Sequence, residues 1–298
     1  MKVLIWKAAD NDRDASTYIY KEAKRQGLDV HIAGTRNNFE PVHHVARELN
    51  PDIVFIYGID LKNTNNYKTL RERGCKLVLS YHDQASVERD KLFKSATGLF
   101  DLAIFSTIQG CELYGNVAKA SVWVPQSFDY IMSKPIKRLD ESKEIYDICF
   151  LSYCPDKLRN WFLNGLRKDY KVFVGNNHRL GEMAKIYAQS KIAINIRRGS
   201  GFNDDGDFLT SNRIFNAMGC GAFYLTHTVR KLEIFFKEGV HLVTHDSTYK
   251  DVESKIKYYL NSPVERERIA LAGQTEILLN HTLEVRVKQY WHEMEKIL

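Results

Sequence analysis

The sequence predicts an α/β protein built from two doubly wound domains with parallel sheets, followed by helices. Three observations lead there. Short, almost wholly apolar strands alternate with amphipathic stretches of helix length; the rhythm breaks once in a charged, proline-containing stretch and then restarts; and residues 263–298 carry helical patterning only.

Taken in order, the first series places strands at Val3–Trp6, Val30–Gly34, Ile53–Tyr57, Leu77–Tyr81, Leu102–Ser106 and Val122–Val124. Each is nearly continuous in apolar side chains, as a strand covered on both faces must be. Helices are expected at Thr17–Gln26, stopped by Gly27, at Pro41–Leu49, with proline in the first turn, and at Leu61–Arg73, stopped by Gly74. The run SKPIKRLDESKE after Phe128 is poor in large apolar groups and reads as a linker. The second series has strands at Ile148–Ser152, Tyr170–Gly175, Ile192–Ile196, Ala222–Thr226 and Leu242–Thr244. Its helices fall at Pro155–Lys168, Leu180–Gln189, Ser211–Met218, Val229–Lys237 and Tyr249–Leu260, before Pro263–Leu278 and Thr282–Leu298. The expected organisation is domain 1–130, linker 131–144, domain 145–280 and C-terminal helix 281–298. Two such domains facing each other leave a cleft at the carboxyl ends of their strands, where ligands of these folds bind.

Composition narrows the class. The 298 residues are 44% hydrophobic and 12% aromatic, ample for packed cores. No apolar run approaches the ~18 to 20 residues of a spanning helix. MKVLIWKAAD reads as a buried first strand rather than a signal peptide, so a soluble, cytoplasmic protein without a membrane span is expected. Cys75, Cys111, Cys149, Cys154 and Cys220 are scattered and lack metal-ligand spacing, which predicts neither disulfide nor zinc. The net charge of +6 divides as +1 over residues 1–130 (17 basic, 16 acidic) and +5 over the remainder (26 basic, 21 acidic).

That excess lies with the most informative stretch, Lys191–Phe223, which reads as strand, polar loop, helix, Gly-rich turn and strand. A helix beginning at Ser211-Asn212-Arg213 presents unpaired N–H groups and a positive dipole end at the carboxyl edge of a parallel sheet. With Arg197, Arg198 and Arg213 around it, the segment reads either as a phosphate or diphosphate site or as a solvated basic loop. Gly219 and Gly221 read as the turn after the helix. Gly175 ends a strand, where a plain turn fits. In the first domain Asp83 follows the strand KLVLSYH and forms with His82 the best acid/base pair, His82 reading otherwise as a packing histidine. Asp12 after the first strand is a second-choice base or a helix cap. Asp205-Gly206-Asp207 has the form of a metal motif but sits inside a long polar loop, so no metal is expected.

The chain resembles GT-B glycosyltransferases, in particular the group related to spore maturation protein CgeB and the glycosyl transferases group 1 domain. The resemblance is carried by KLVLSYHD (76–83), FDLAIFS (100–106), WVP (123–125), YDICF (146–150) with Arg159, YAQSKIAIN (187–195) and RIFNAMGCG (213–221). Further matches are Tyr258-Tyr259-Leu260, Glu265-Arg266, and His281-Thr282 through Arg286. It implies transfer of a hexosyl or pentosyl group from a nucleotide-diphosphate sugar (UDP, dTDP or GDP) to an acceptor hydroxyl, with no cofactor and no metal. The C-terminal domain would hold the donor, and the N-terminal domain would supply most acceptor contacts. By the same resemblance, Arg213 and its helix start (Ser211, Asn212) would grip the diphosphate with Arg197 or Arg198. Asn195, Gly175, Phe215 and Asn216 would line the donor site. Many relatives carry glutamate, a ribose ligand, where this chain has Asn216, which leaves donor choice open. The acceptor is also open: glycan, protein, small molecule or a hydroxylated base in DNA. A non-catalytic nucleotide-sugar-binding or coat-associated protein on the same fold is the reading from another class.

Overall fold

Six parallel strands and then five form two separate sheets. The computed structural model describes residues 1–7, 15–35, 38–58, 64–82, 87–128, 144–152, 157–175, 180–196, 212–229, 231–246 and 250–298. They group into one unit of Met1–Gln126 with Leu283–Leu298, and a second of Ser127–Thr282.

The first unit runs β1 (Val3–Trp6), α1 (Ala15–Arg25), β2 (Val30–Ala33), α2 (Glu40–Leu49), β3 (Ile53–Tyr57), α3 (Thr64–Glu72), β4 (Lys76–Tyr81), α4 (Val87–Lys94), β5 (Phe100–Phe105), α5 (Ile108–Tyr114) and β6 (Ala118–Trp123). Its sheet order is β2-β1-β3-β4-β5-β6. Central strands are apolar on both faces and buried, β1 and β5 throughout, whereas β6 at the edge exposes Lys119, Ala120 and Ser121. The amino edge is pinned by carboxylates: Asp52 accepts from the Lys2 N–H (2.7 Å) and Asp101 from that of Leu77 (2.9 Å).

The second unit runs β7 (Tyr146–Leu151), α6 (Lys157–Leu166), β8 (Val172–Gly175), α7 (Leu180–Ala188), β9 (Ser190–Ile194), α8 (Asn212–Gly219), β10 (Tyr224–His227), β11 (Val243–His245), α9 (Val252–Leu260) and α10 (Pro263–Asn280). Its order is β11-β10-β9-β7-β8. The chain therefore winds outward from β7 to β8 and then returns to β9 and the other side, which makes β7/β9 the topological switch point.

Two expectations change. Val229–Lys237 is no helix but a single 3-10 turn at Leu232–Ile234; Lys231 before it is left-handed (φ 62°), which interrupts helical backbone. The strand expected at Ile192–Ile196 is β9, ending at Ile194, so Asn195 lies just past its carboxyl end. The segment 131–144 read as a linker lies outside the described residues except Glu144, whose buried carboxylate pairs with Arg266 (3.3 Å). In the C-terminal stretch, α11 (Leu283–Glu295) groups with the first unit. There buried Arg286 donates from Nε to the main-chain oxygens of Pro125 (2.9 Å) and Gln126 (3.1 Å), and Arg25 meets Glu284 (2.8 Å). No helix among the described residues is long and apolar enough to cross a membrane.

Candidate functional site

The best-defined polar cluster of the second unit stands at its switch point. Ser152 follows β7 and Asn195 follows β9, and both accept hydrogen bonds from one guanidinium. Arg213 in the first turn of α8 donates from Nη1 to the Asn195 side-chain oxygen and from Nη2 to Ser152 Oγ (2.6 Å). Its guanidinium lies over the Phe150 ring of β7, 5.2 Å from the centroid. Arg159 of α6 approaches that ring to 5.6 Å and donates to the Ile196 oxygen (3.0 Å). Asn195 is fixed in turn: it is 8% exposed, its amide donates to Thr226 Oγ1 (3.0 Å), and its main-chain N–H bonds the Leu225 oxygen (2.8 Å).

Helix α8 reaches this position through close packing of its far end. A Cβ on Gly219 would meet the Phe128 ring at 2.5 Å, so only glycine admits that ring. The helix stops in a left-handed Gly221 (φ 84°), with Gly221 N–H on the Met218 oxygen and Ala222 N–H on the Ala217 oxygen, which turns the chain into β10. Gly219 and Gly221 are thus structural. Behind the cluster, buried Tyr187 and Tyr224 keep their phenol protons, because burial raises both while the nearby charge of Arg213 opposes it.

The other expected donor residues differ in exposure and contacts. Asn212 is exposed at the start of α8, and Gly175 ends edge strand β8, its oxygen accepting from the Ser152 N–H (2.9 Å). Phe215 is wholly buried, against Phe236 (6.1 Å) and His281 (5.7 Å). Asn216, three residues after Arg213, is 8% exposed, and its side-chain oxygen is enclosed without a hydrogen-bond partner among the described residues. Arg197, Arg198 and Ser211 lie outside the described residues, as does Asp205–Asp207.

In the first unit His82 directly follows β4. Its Nε2 is 2.7 Å from Ser80 Oγ, its ring stacks on Tyr57 of β3 (4.8 Å, 14°), and its oxygen accepts from Gln126 (3.4 Å). Desolvation lowers its pKa to about 4, so the imidazole is neutral at physiological pH. Asp83 and Asp12 lie outside the described residues.

Sequence reasoning passed over Ser152, Phe150 and Thr226 as site residues. The available signal was position: each lies at or near the carboxyl end of a predicted parallel strand of the second series.

Among solved structures, the chain is similar to HepE of Anabaena in complex with UDP and glucose (TM-score 0.67, 13% identity, 99% of each chain covered). It is also similar to sucrose-phosphate synthase of Thermosynechococcus elongatus (TM-score 0.68, 10% identity, 100% of this chain and 99% of that one). A third is an α-glucosyltransferase in complex with UDP and a 13-mer DNA containing an HMU base (TM-score 0.64, 10% identity, 98% of each chain). No curated protein matches the sequence. These likenesses extend over both sheets and give the GT-B fold. The glycosyl transferase-like family matches residues 136–292, more than half of the chain and nearly all of the unit that holds Arg213, and the chain belongs to that family.

Proposed function

We propose that this protein transfers a sugar from a nucleotide-diphosphate sugar to an acceptor hydroxyl, with the donor diphosphate held at Arg213. The observation that carries this reading is the single guanidinium joined to the ends of both switch-point strands, through Ser152 and Asn195, at the start of a helix. In the transfer the bond from the anomeric carbon to the diphosphate oxygen breaks, its electron pair stays on the diphosphate, and the acceptor oxygen takes the carbon. The leaving group gains negative charge, which a preorganised guanidinium and helix N–H groups stabilise. Arg suits the task because its fork can grip two phosphate oxygens. Asn216, on the helix turn after Arg213, is assigned to the donor ribose, where its amide oxygen accepts a hydroxyl proton without adding charge.

The acceptor proton goes to Asp83 or Asp12 in this reading. His82, with its pKa lowered to about 4, is a poor match to a base working near neutral pH and is assigned as a neutral hydrogen-bonding group. Metal independence belongs to the proposal. The complexes of HepE and of the α-glucosyltransferase with UDP support UDP as the first donor nucleotide to test.

The test is a calorimetric and thermal-shift panel of UDP, dTDP and GDP and their sugars. A donor at a hundredfold excess over its Kd should stabilise the fold by about 2.7 kcal/mol. Arg213→Ala should abolish that gain, and donor turnover should persist in EDTA. Acceptor screening then takes glycans, proteins, small molecules and DNA bearing a hydroxymethylated base. Binding without turnover on any of these would favour the non-catalytic reading; a flat panel would remove the donor site.

A further inference from the structure

His245 closes β11 and is wholly buried. In register it sits beside His227 of β10, with ring centroids 6.3 Å apart. Its ring nevertheless reaches past β10 to the end of β9: Nε2 is 3.1 Å from the main-chain oxygen of Asn195. On the other side Nδ1 is 2.8 Å from the oxygen of Asp246, so the ring lies between two carbonyls. The His245 main-chain oxygen is itself held, by the N–H (2.9 Å) and hydroxyl (3.2 Å) of Thr228.

Asn195 is thus gripped along its length. Its oxygen meets His245, its N–H meets Leu225, its amide meets Thr226, and its side-chain oxygen receives Arg213. Only the last of these faces the anion site. Both carbonyls are acceptors and a neutral ring has one N–H to give, so the tautomer decides which of them it serves; the Nε2–H tautomer is the one that serves Asn195.

We propose that His245 is a positioning residue for the diphosphate grip: its Nε2–H ties the end of β11 to the carbonyl of Asn195 across β10, and through Asn195 sets the guanidinium of Arg213. This rests on the reading of Arg213 as the phosphate ligand. A site that must hold a charged fork to within about half an ångström depends on the groups that lock its orienting residue. His245 touches no ligand in this scheme; removing it loosens the ligand's partner.

The experiment compares UDP affinity, by calorimetry at a temperature where every variant is folded, in the intact chain and in His245→Leu, His245→Gln, Asn195→Ala, the double variant His245→Leu/Asn195→Ala, and Arg213→Ala. We expect His245→Leu to weaken UDP about tenfold, the worth of one lost hydrogen bond of ~1.4 kcal/mol. His245→Gln, which keeps a side-chain N–H, should recover part of it. In the Asn195→Ala background the Leu change should cost little more, because the path to Arg213 is already broken. A spectrum of ¹⁵N-labelled histidine should show His245 protonated at Nε2. If Arg213→Ala leaves UDP binding intact, the phosphate reading falls. If Arg213→Ala abolishes binding while His245→Leu lowers only the melting temperature, or its effect adds in full to that of Asn195→Ala, His245 is merely structural and the inference is overturned.

Discussion

Asn195 accepts the guanidinium of Arg213 through its side-chain oxygen while its amide donates to Thr226, so one side chain links the first turn of α8 to strand β10. Replacing Asn195 by Ala removes the arginine's partner and leaves the Thr226 hydroxyl without its donor. We expect UDP to bind roughly tenfold more weakly and the fold to lose about 1–2 kcal/mol. Calorimetry and urea unfolding measure the two separately; unchanged affinity would mean that Asn195 does not orient Arg213.

The buried side-chain oxygen of Asn216 meets no donor among the described residues. Asn216→Leu keeps the size and discards that oxygen, so stability should stay within about 1 kcal/mol of the parent. If Asn216 serves the donor ribose, UDP affinity should still fall, roughly tenfold. Equal affinity in the two proteins would assign Asn216 to packing alone.

Gly273 of α10 is a helical glycine that looks improvable, since alanine favours helix by about 1 kcal/mol. Its position forbids the gain. A Cβ there would stand 2.3 Å from the main-chain oxygen of His241 and 3.0 Å from Met218 Cε of α8. Gly273→Ala should therefore destabilise by about 2 kcal/mol net, read as a lowered melting temperature. A rise would show that the packing of α10 on α8 yields.

Asp101 and Asp147 stand second in β5 and β7 and make the same contacts in the two sheets. Asp101 takes the Leu77 N–H and the Lys119 ammonium, Asp147 the Lys171 N–H and the Lys191 ammonium, at 2.8–2.9 Å. Burial raises both carboxyls, but these partners more than offset it and hold both below the ordinary 3.8. The unfolded chain therefore takes up protons first. The stability these groups add is complete above about pH 4 and is lost as pH falls through their lower folded values. Asp101→Asn should flatten that acid limb and cost about 2 kcal/mol at neutral pH, measured by denaturant unfolding from pH 7 to 2.

His82 titrates in the opposite sense to a salt-bridged histidine. Folded, its pKa drops from 6.5 to about 4, because burial disfavours the cation. Between those values the unfolded state binds the extra proton, so stability declines as pH falls from 6.5 toward 4. Ring NMR should find His82 neutral at pH 5, and His82→Gln should remove that part of the slope. A normal titration near 6.5 would restore His82 as a candidate base.

Fold class was legible in the residues because periodicity is local: buried parallel strands must be apolar on both faces, and the break and restart of that rhythm separates two sheets. The position of Arg213 was also legible, since a basic residue in a helix's first turn after a strand can be read from order alone. Tertiary structure decided who shares the site. Ser152, Thr226 and His245 lie 61, 13 and 32 positions from Arg213, on strands whose neighbours are fixed by sheet order rather than by sequence. It also buried Phe215, in a helix where every position from 214 to 219 is buried, so that no exposed face marks its orientation in the sequence. The guanidinium of Arg213 was written in the sequence; its contacts with Ser152 and Asn195 came from parallel strands that bring distant chain segments to one edge.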